Sequence, residues 1–272
     1  MSGAPLALLA SLLWGTADFL AGRASRTHPA VLVAAVGQAA GLIALGLVLL
    51  FRGWDTGAFL PGALAGAAGV VGVTAFYRAL GLGTMSIVAP IVATCAIVPV
   101  AAGVIIDGER PGTLQWIGIV VALAGVALAS LEPGGAAADA RKALQLALVA
   151  ALAIGLSLVA LDQAAEDDAL TGVWAARVVA VPVLAGMVLY ARARVPLRTL
   201  PQLAVIGLLD TGANSAFAIA TTGGLLSLIA VLGGLFPVVT VALAYFLLHE
   251  RLQPTQRVGV LLALAGIPLI SA

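Results

Sequence analysis

The sequence predicts an all-α membrane protein of ten transmembrane helices, built as two inverted five-helix repeats around a central cavity. Three observations carry that expectation. The first is composition: hydrophobic residues make up 62% of the 272 and charged residues 9%, with a mean hydropathy of +1.16. A water-soluble domain carries about 25% charged residues, so this chain lacks the polar material to cover a surface facing water. The second is segmentation. Apolar runs near the roughly 20 residues a helix needs to cross a bilayer fall at 4–22, 30–51, 61–82, 86–106, 113–131, 143–163, 171–190, 201–222, 225–248 and 256–272. The third is repetition. Glu109-Arg110 falls on Glu250-Arg251 at an offset of 250 − 109 = 141. The same offset carries Ser86 onto Ser227, Gln115 onto Gln256, Gly118 onto Gly259, Ala124-Gly125 onto Ala265-Gly266 and Ser130 onto Ser271. One ungapped register over about 45 positions exceeds what shared apolar composition produces, and it reads as a tandem duplication.

The expected repeats are 1–131 and 143–272, joined by the linker 132–142 (EPGGAAADARK) within one membrane domain. Five spans per repeat is an odd number, so the second copy starts on the opposite membrane face and the halves run antiparallel. In that architecture a site sits at the midplane between the halves. No Lys or Arg precedes the apolar run at Pro5, which is expected to remain as the first span rather than act as a signal peptide. If the face reached after span 1 is called side A, it receives nine of the 13 Lys and Arg: Arg23, Arg26, Arg141, Lys142, Arg192, Arg194, Arg198, Arg251 and Arg257. Side B receives Arg52 and Arg110, while Arg78 and Arg177 lie within spans. Positive loops favour the cytoplasm, which places side A inside and both termini outside.

Each span carries its own signals. In span 1, Trp14 and Asp18 share a face one turn apart. Gly37-xxx-Gly41 in span 2, Gly62-xxx-Gly66 in span 3 and Gly118, Ala122 and Gly125 in span 5 are spaced for close helix contact. Gln38 is a polar candidate in span 2, as is Tyr77 in span 3. Asp18 and Arg78 sit about four residues from the side A ends of spans 1 and 3; they form a gating ion pair or each reach the headgroups. Pro90 and Pro99 interrupt span 4 and Pro237 interrupts span 9. A proline frees a backbone carbonyl, which is tolerated where it lines a cavity, so these two spans are the expected moving walls.

Ionisable residues inside a membrane are expensive and point to function. Asp210 lies near the middle of span 8, with Asn214, Phe217 and Thr221 along one stripe. It binds a cation or amine, carries a coupling proton, or is fixed by a neighbouring group. Arg177 in span 7 pairs with Asp210, meets a substrate carboxylate, or snorkels to side B. The acidic run Glu166-Asp167-Asp168 reads as a solvated loop face.

Enzyme chemistry lacks its residues. His28 and His249 sit apart at span ends, and no HExxH, GxSxG or Walker-type loop occurs. Cys95 is the single cysteine, so no intramolecular disulfide forms. Net charge of +1 with no basic tail gives no sign of a nucleic-acid partner.

The opening Leu13-Trp14-Gly15, the run Phe76-Tyr77-Arg78-Ala79-Leu80 and two Glu-Arg corners, each followed by a Gln and a Gly, resemble the EamA family of the drug/metabolite transporter superfamily. The resemblance covers nearly the whole chain and is strongest over 66–131 and 207–272. Pro237, thirteen residues before Glu250, is similar to the family's span 9 proline; the first half has Ala96 there, with Pro99 one turn later. The resemblance implies a ten-helix basket with its cavity lined by spans 1, 3, 4, 6, 8 and 9. It implies export or exchange of small metabolites, often amino acids, by proton coupling or downhill flux. It also implies cytoplasmic termini, against the charge distribution above.

The expected function is therefore secondary transport of small polar metabolites such as amino acids by alternating access, with protons as a candidate coupling ion. Substrate contacts are expected at Trp14, Gln38, Tyr77, Pro90, Arg177, Asp210, Asn214, Phe217 and Pro237, and a gate at Asp18 and Arg78. No cofactor, metal or nucleic acid is expected; the chain is expected to be a monomer among the lipids of a bacterial inner membrane. A lipid-linked carrier or flippase of the same fold is the alternative, followed by an embedded enzyme or scaffold.

Overall fold

The computed structural model describes residues 3–25, 27–82, 91–129, 140–193, 197–248 and 253–271, and among them all regular structure is helical. The first half contains α1 (Ala4–Ser25), α2 (Ala30–Arg52), α3 (Phe59–Leu82), α4 (Ile91–Ile105) and α5 (Thr113–Ala129). The second half opens with one continuous helical stretch, Ala140–Tyr190, followed by α8 (Leu200–Thr221), α9 (Leu226–Gly233), α10 (Phe236–Leu248) and α11 (Pro254–Ser271). Pro90, Glu250 and residues 132–139 of the expected linker lie outside the described residues.

Asp168 divides the Ala140–Tyr190 stretch into α6 (140–167) and α7 (169–190), because its φ of −157° and ψ of 108° are extended values. A Cβ added to Gly172 would meet the methyl of Ala164. Eight residues of straight helix would separate those positions by about 12 Å, so the chain folds back at Asp168. Its carboxylate accepts the N–H of Thr171 at 2.9 Å, capping α7, and pairs with Arg52 at 2.7 Å. Asp168 therefore departs from the expected solvated face: it starts one helix and ties down the end of another.

Among the described residues six helices are long and apolar enough to cross a membrane, and three shorter apolar helices accompany them. Their outer faces carry Ile43 (63% exposed), Leu64 (59%) and Leu261 (68%). Apolar side chains repeated over such a surface fit acyl chains and not water. Trp54, Trp116 and Tyr190 are exposed near helix ends, where amphipathic rings settle at headgroup depth. The protein is an integral, multi-pass membrane protein.

Inside lipid, apolar surface alone does not drive helices together; close approach and dispersion do. The glycines supply that approach. Gly37 packs on Gly207 and Gly41 on Thr211, so α2 and α8 run parallel. Gly62 packs on Gly172 and Gly66 on Ala176, so α3 and α7 also run parallel. Between α5 and α11 the order reverses: Gly118 meets Ile270, Gly125 meets Ala263, Gly266 meets Ala122 and Gly259 meets Ala129. Each step forward in α5 matches an equal step back in α11, and the 141 offset maps every one of these contacts onto another. The repeated glutamine has a local role as well. Gln115 accepts the N–H of Gly112 and Gln256 that of Gln253, both at 2.9 Å, one capping-box bond at the start of each helix.

Spans 4 and 9 both break, at matching places. In α4 the chain tightens to a 3-10 turn over Thr94–Ala96. The corresponding residues by the 141 offset, 235–237, run from the turn after α9 into α10, with Pro237 at the second position of α10. A first-turn proline costs no hydrogen bond, so Pro237 restarts a helix instead of kinking one. In the first half Pro99 stands at the third position of the helix that follows the turn, one residue later in its helix than Pro237.

The Glu109 of the first Glu-Arg corner has a structural role. Its carboxylate accepts the N–H groups of Leu226 and Ser227, the latter at 3.0 Å, and so caps the first turn of α9. All eight residues of α9 are buried, at the centre of a core that also takes Ala7, Val100 and Phe217.

Candidate functional site

A cavity of about 650 Å³ lies between the two halves. Its wall comes from α1, α2, α3, α4, α6, α7, α8, the α9–α10 turn and α10, with Ala129 at the end of α5. Spans 2 and 7 thus line it too, beyond the set that the family resemblance implied. The reason lies in side-chain size. Ala30, Ala34 and Gln38 recur every four residues along one face of α2, and Ala176 and Ala180 flank Arg177 on α7. Small residues leave the volume open, and the polar side chains project into it.

The polar centre is Asp210. Arg177 Nη2 donates to its Oδ2 at 3.1 Å, and Gln38 Nε2 donates to the same oxygen at 3.3 Å. Asn214 Nδ2 donates to Oδ1 at 3.2 Å and to the Asp210 carbonyl at 2.7 Å. Three side chains from three helices converge on one carboxylate. Arg177 is 3% exposed, and Nη1 also donates to Val173 O at 3.4 Å. Its Nε is buried without a hydrogen-bond partner among the described residues. Of the roles open to Arg177, the structure realises the ion pair.

Trp14 lines the cavity beneath Asp18. Its ring is fixed by Phe217, with centroids 5.7 Å apart, and by Phe236 edge-on at 6.3 Å. Phe217 is fully buried and supports Trp14 from behind without reaching the cavity. Gly15 lets α1 approach α10: a Cβ there would lie 2.7 Å from the carbonyl of Phe236. Thr240 Oγ1 lies 3.1 Å from both that carbonyl and the carbonyl of Gly15, stitching the two helices together.

Pro237 and Asp18 also line the cavity. Asp18 is exposed to it and has no hydrogen bond or ion pair among the described residues. Arg78 is exposed and away from the lining. The two share a depth, but α1 and α3 turn them to different surroundings, so the expected ion pair does not form. The Tyr77 side chain and Pro90 lie outside the described residues. Phe236, Thr240 and Ser157, whose hydroxyl donates to Ala65 O at 2.8 Å, are wall residues that spacing alone did not single out. The adjacency of Phe236 to Pro237 was the one available signal.

Among the described residues the cavity is one-sided. Its wall reaches Ser25 at the last turn of α1, Ala30 at the first turn of α2 and Leu184 on α7. Toward the other end it stops at Ala65 and Leu161. Beyond them stand buried α9, its Glu109 cap and a bond from Gly3 N–H to Gly223 O at 3.3 Å.

No curated protein matches the chain. Among solved structures 29 chains match. One, described as "Crystal structure of protein", superposes with a TM-score of 0.81 at 20% identity over 98% of this chain and 96% of that one, a likeness of fold. A model described as the EamA-like transporter family matches residues 1–131 and again 141–272. Two matches side by side account for the sequence repeat and for the paired contacts of α5 and α11, and the chain belongs to the EamA-like transporter family.

Proposed function

We propose that this protein is a secondary transporter of small polar metabolites, amino acids among the candidates, working by alternating access between two inverted repeats. The observation that carries the reading is the one-sided cavity: a polar centre at mid-depth, wall residues continuing to one end, and a packed seal at the other. Counting the folded-back Ala140–Tyr190 stretch as two spans, the six long helices and three shorter ones total ten. The antiparallel contacts of α5 and α11 support the inversion, with repeats of 1–131 and 143–272. Trp14, Gln38, Arg177, Asp210, Asn214 and Pro237 serve as contacts or supports for the solute. Asp18 and Asp210 are the candidate carriers of a coupling proton, since the chain has no nucleotide-binding loop to supply energy. The charge distribution favours side A, toward which the described wall extends, as the cytoplasmic face; the membrane is read as a bacterial inner membrane and the working unit as a monomer.

Purified protein in liposomes is expected to exchange a labelled solute from a panel of amino acids, amines, nucleosides and sugars, and Asp210→Asn or Arg177→Ala is expected to change the rate. Absence of flux for every solute would remove the transporter reading. Unchanged flux in both variants at every pH tried would remove the roles of those residues. A lipid-linked cargo is the second reading, favoured by the mainly apolar wall; activity confined to lipids would select it.

A further inference from the structure

The charges facing the cavity do not balance. Its described lining holds two Asp side chains and one Arg: Asp18, Asp210 and Arg177. Arg177 and Asp210 neutralise one another at 3.1 Å, and Gln38 and Asn214 complete the Asp210 shell. Of the five Arg177 N–H groups, one on Nη2 goes to Asp210 and one on Nη1 to Val173 O, and the Nε N–H is buried, so the guanidinium is held by Asp210 and not set out for a solute. Asp18 stands apart, exposed to the cavity and without a described partner. One turn earlier on the same face is Trp14, about 6 Å along the helix. Its indole is held by Phe217 and Phe236. A carboxylate beside an oriented, electron-rich ring face is the chemistry that receives an organic cation, and about 650 Å³ is room for a small-molecule ligand.

We infer that Asp18 and Trp14 form the solute-recognition site, and that the preferred solute is a monovalent organic cation: an amine with an apolar or aromatic body. This rests on the transporter reading and narrows its substrate. The ammonium group pairs with Asp18 and lies against the indole, while the apolar body fills the alanine- and glycine-lined wall. The Asp210–Arg177 pair acts as a neutral, rigid floor and not as the anchor. A zwitterion would bring a carboxylate into a cavity whose described lining has two Asp side chains and a single cation, Arg177, that already faces Asp210.

The test uses three probes of one body: 2-phenylethylamine, phenylalanine and 2-phenylethanol. Binding to the purified full-length protein in nanodiscs is read by calorimetry. The amine is expected to bind roughly tenfold or more tighter than the alcohol, the range of a charge-assisted contact, with phenylalanine weaker than the amine. Asp18→Asn should remove the preference for amine over alcohol while keeping alcohol binding, and Asp18→Glu should restore it; retained alcohol binding shows that the variant is folded. No amine binding, equal binding of amine and alcohol, tighter binding of phenylalanine, or an unchanged preference in Asp18→Asn would each overturn the assignment. If liposomes carrying the same protein still exchange another solute, the cation site falls and the transporter reading stands.

Discussion

At Asp210 the energetic consequences of the site are unequal. The carboxylate has three side-chain donors and partial access to the cavity, whereas Arg177 is almost wholly enclosed and has one carboxylate to answer it. Removing one partner of a buried pair leaves the other charge uncompensated, at a cost of about 3 kcal/mol or more. Asp210→Asn should therefore lower the thermal midpoint substantially. Arg177→Met should cost less, roughly 1 kcal/mol, because Gln38, Asn214 and cavity water still serve the carboxylate. Melting curves of the two variants in one detergent check this, and equal losses would contradict it. Asp210, Arg177 and Asn214 were legible as a group because ionisable residues inside apolar spans stand out. The rotation of each helix about its axis was not. In lipid the outer face is as apolar as the core, so Asp18 and Arg78 could be given a depth but not a direction.

Helix contacts and helix ends follow rules that a sequence states more openly. The Gly-xxx-Gly pairs mark closely packed faces, and the structure adds what each meets. A Cβ at Gly41 would collide with the Thr211 hydroxyl, while one at Gly186 would meet nothing within 4 Å. Gly41→Val is expected to destabilise by about 1–3 kcal/mol, the range of overpacking; Gly186→Ala should hold or slightly raise the melting temperature, since alanine favours a helix over glycine by up to about 1 kcal/mol. A similar loss in both would mean that glycine flexibility, not contact, sets the effect. The Glu109 cap was missed because the corner is local in sequence while its partner helix is 117 residues away. Glu109→Gln keeps a hydrogen-bonding side chain but removes the charge facing the α9 N-terminus, for an expected loss of about 1 kcal/mol. Hydrogen exchange at the Leu226 and Ser227 amides reads that loss directly; unchanged protection would show that the cap does not hold the seal. The break in span 4 at Thr94–Ala96 lies just before Pro99, whose missing N–H frees the carbonyl of Cys95 inside the turn, so the proline that marks it falls three residues later than the match to Pro237 indicates.

The duplication orders the whole molecule. An offset read from two Glu-Arg corners reappears as paired contacts between α5 and α11, and composition gave the membrane setting. The one-sidedness of the cavity was not legible, since both repeats carry the elements that could seal or open an end, and only their packing selects which does. Alternating access requires that the cavity open in turn to each side. Ala34, on the wall in α2, reports this once Cys95 is replaced by serine and Ala34 by cysteine. Membrane-impermeant maleimide is then applied from each face separately. The account predicts modification from both faces, fast from the side toward which the wall extends and slow from the sealed side, with Glu109→Gln raising the slow rate. Modification from one face alone, with or without Glu109, would contradict it.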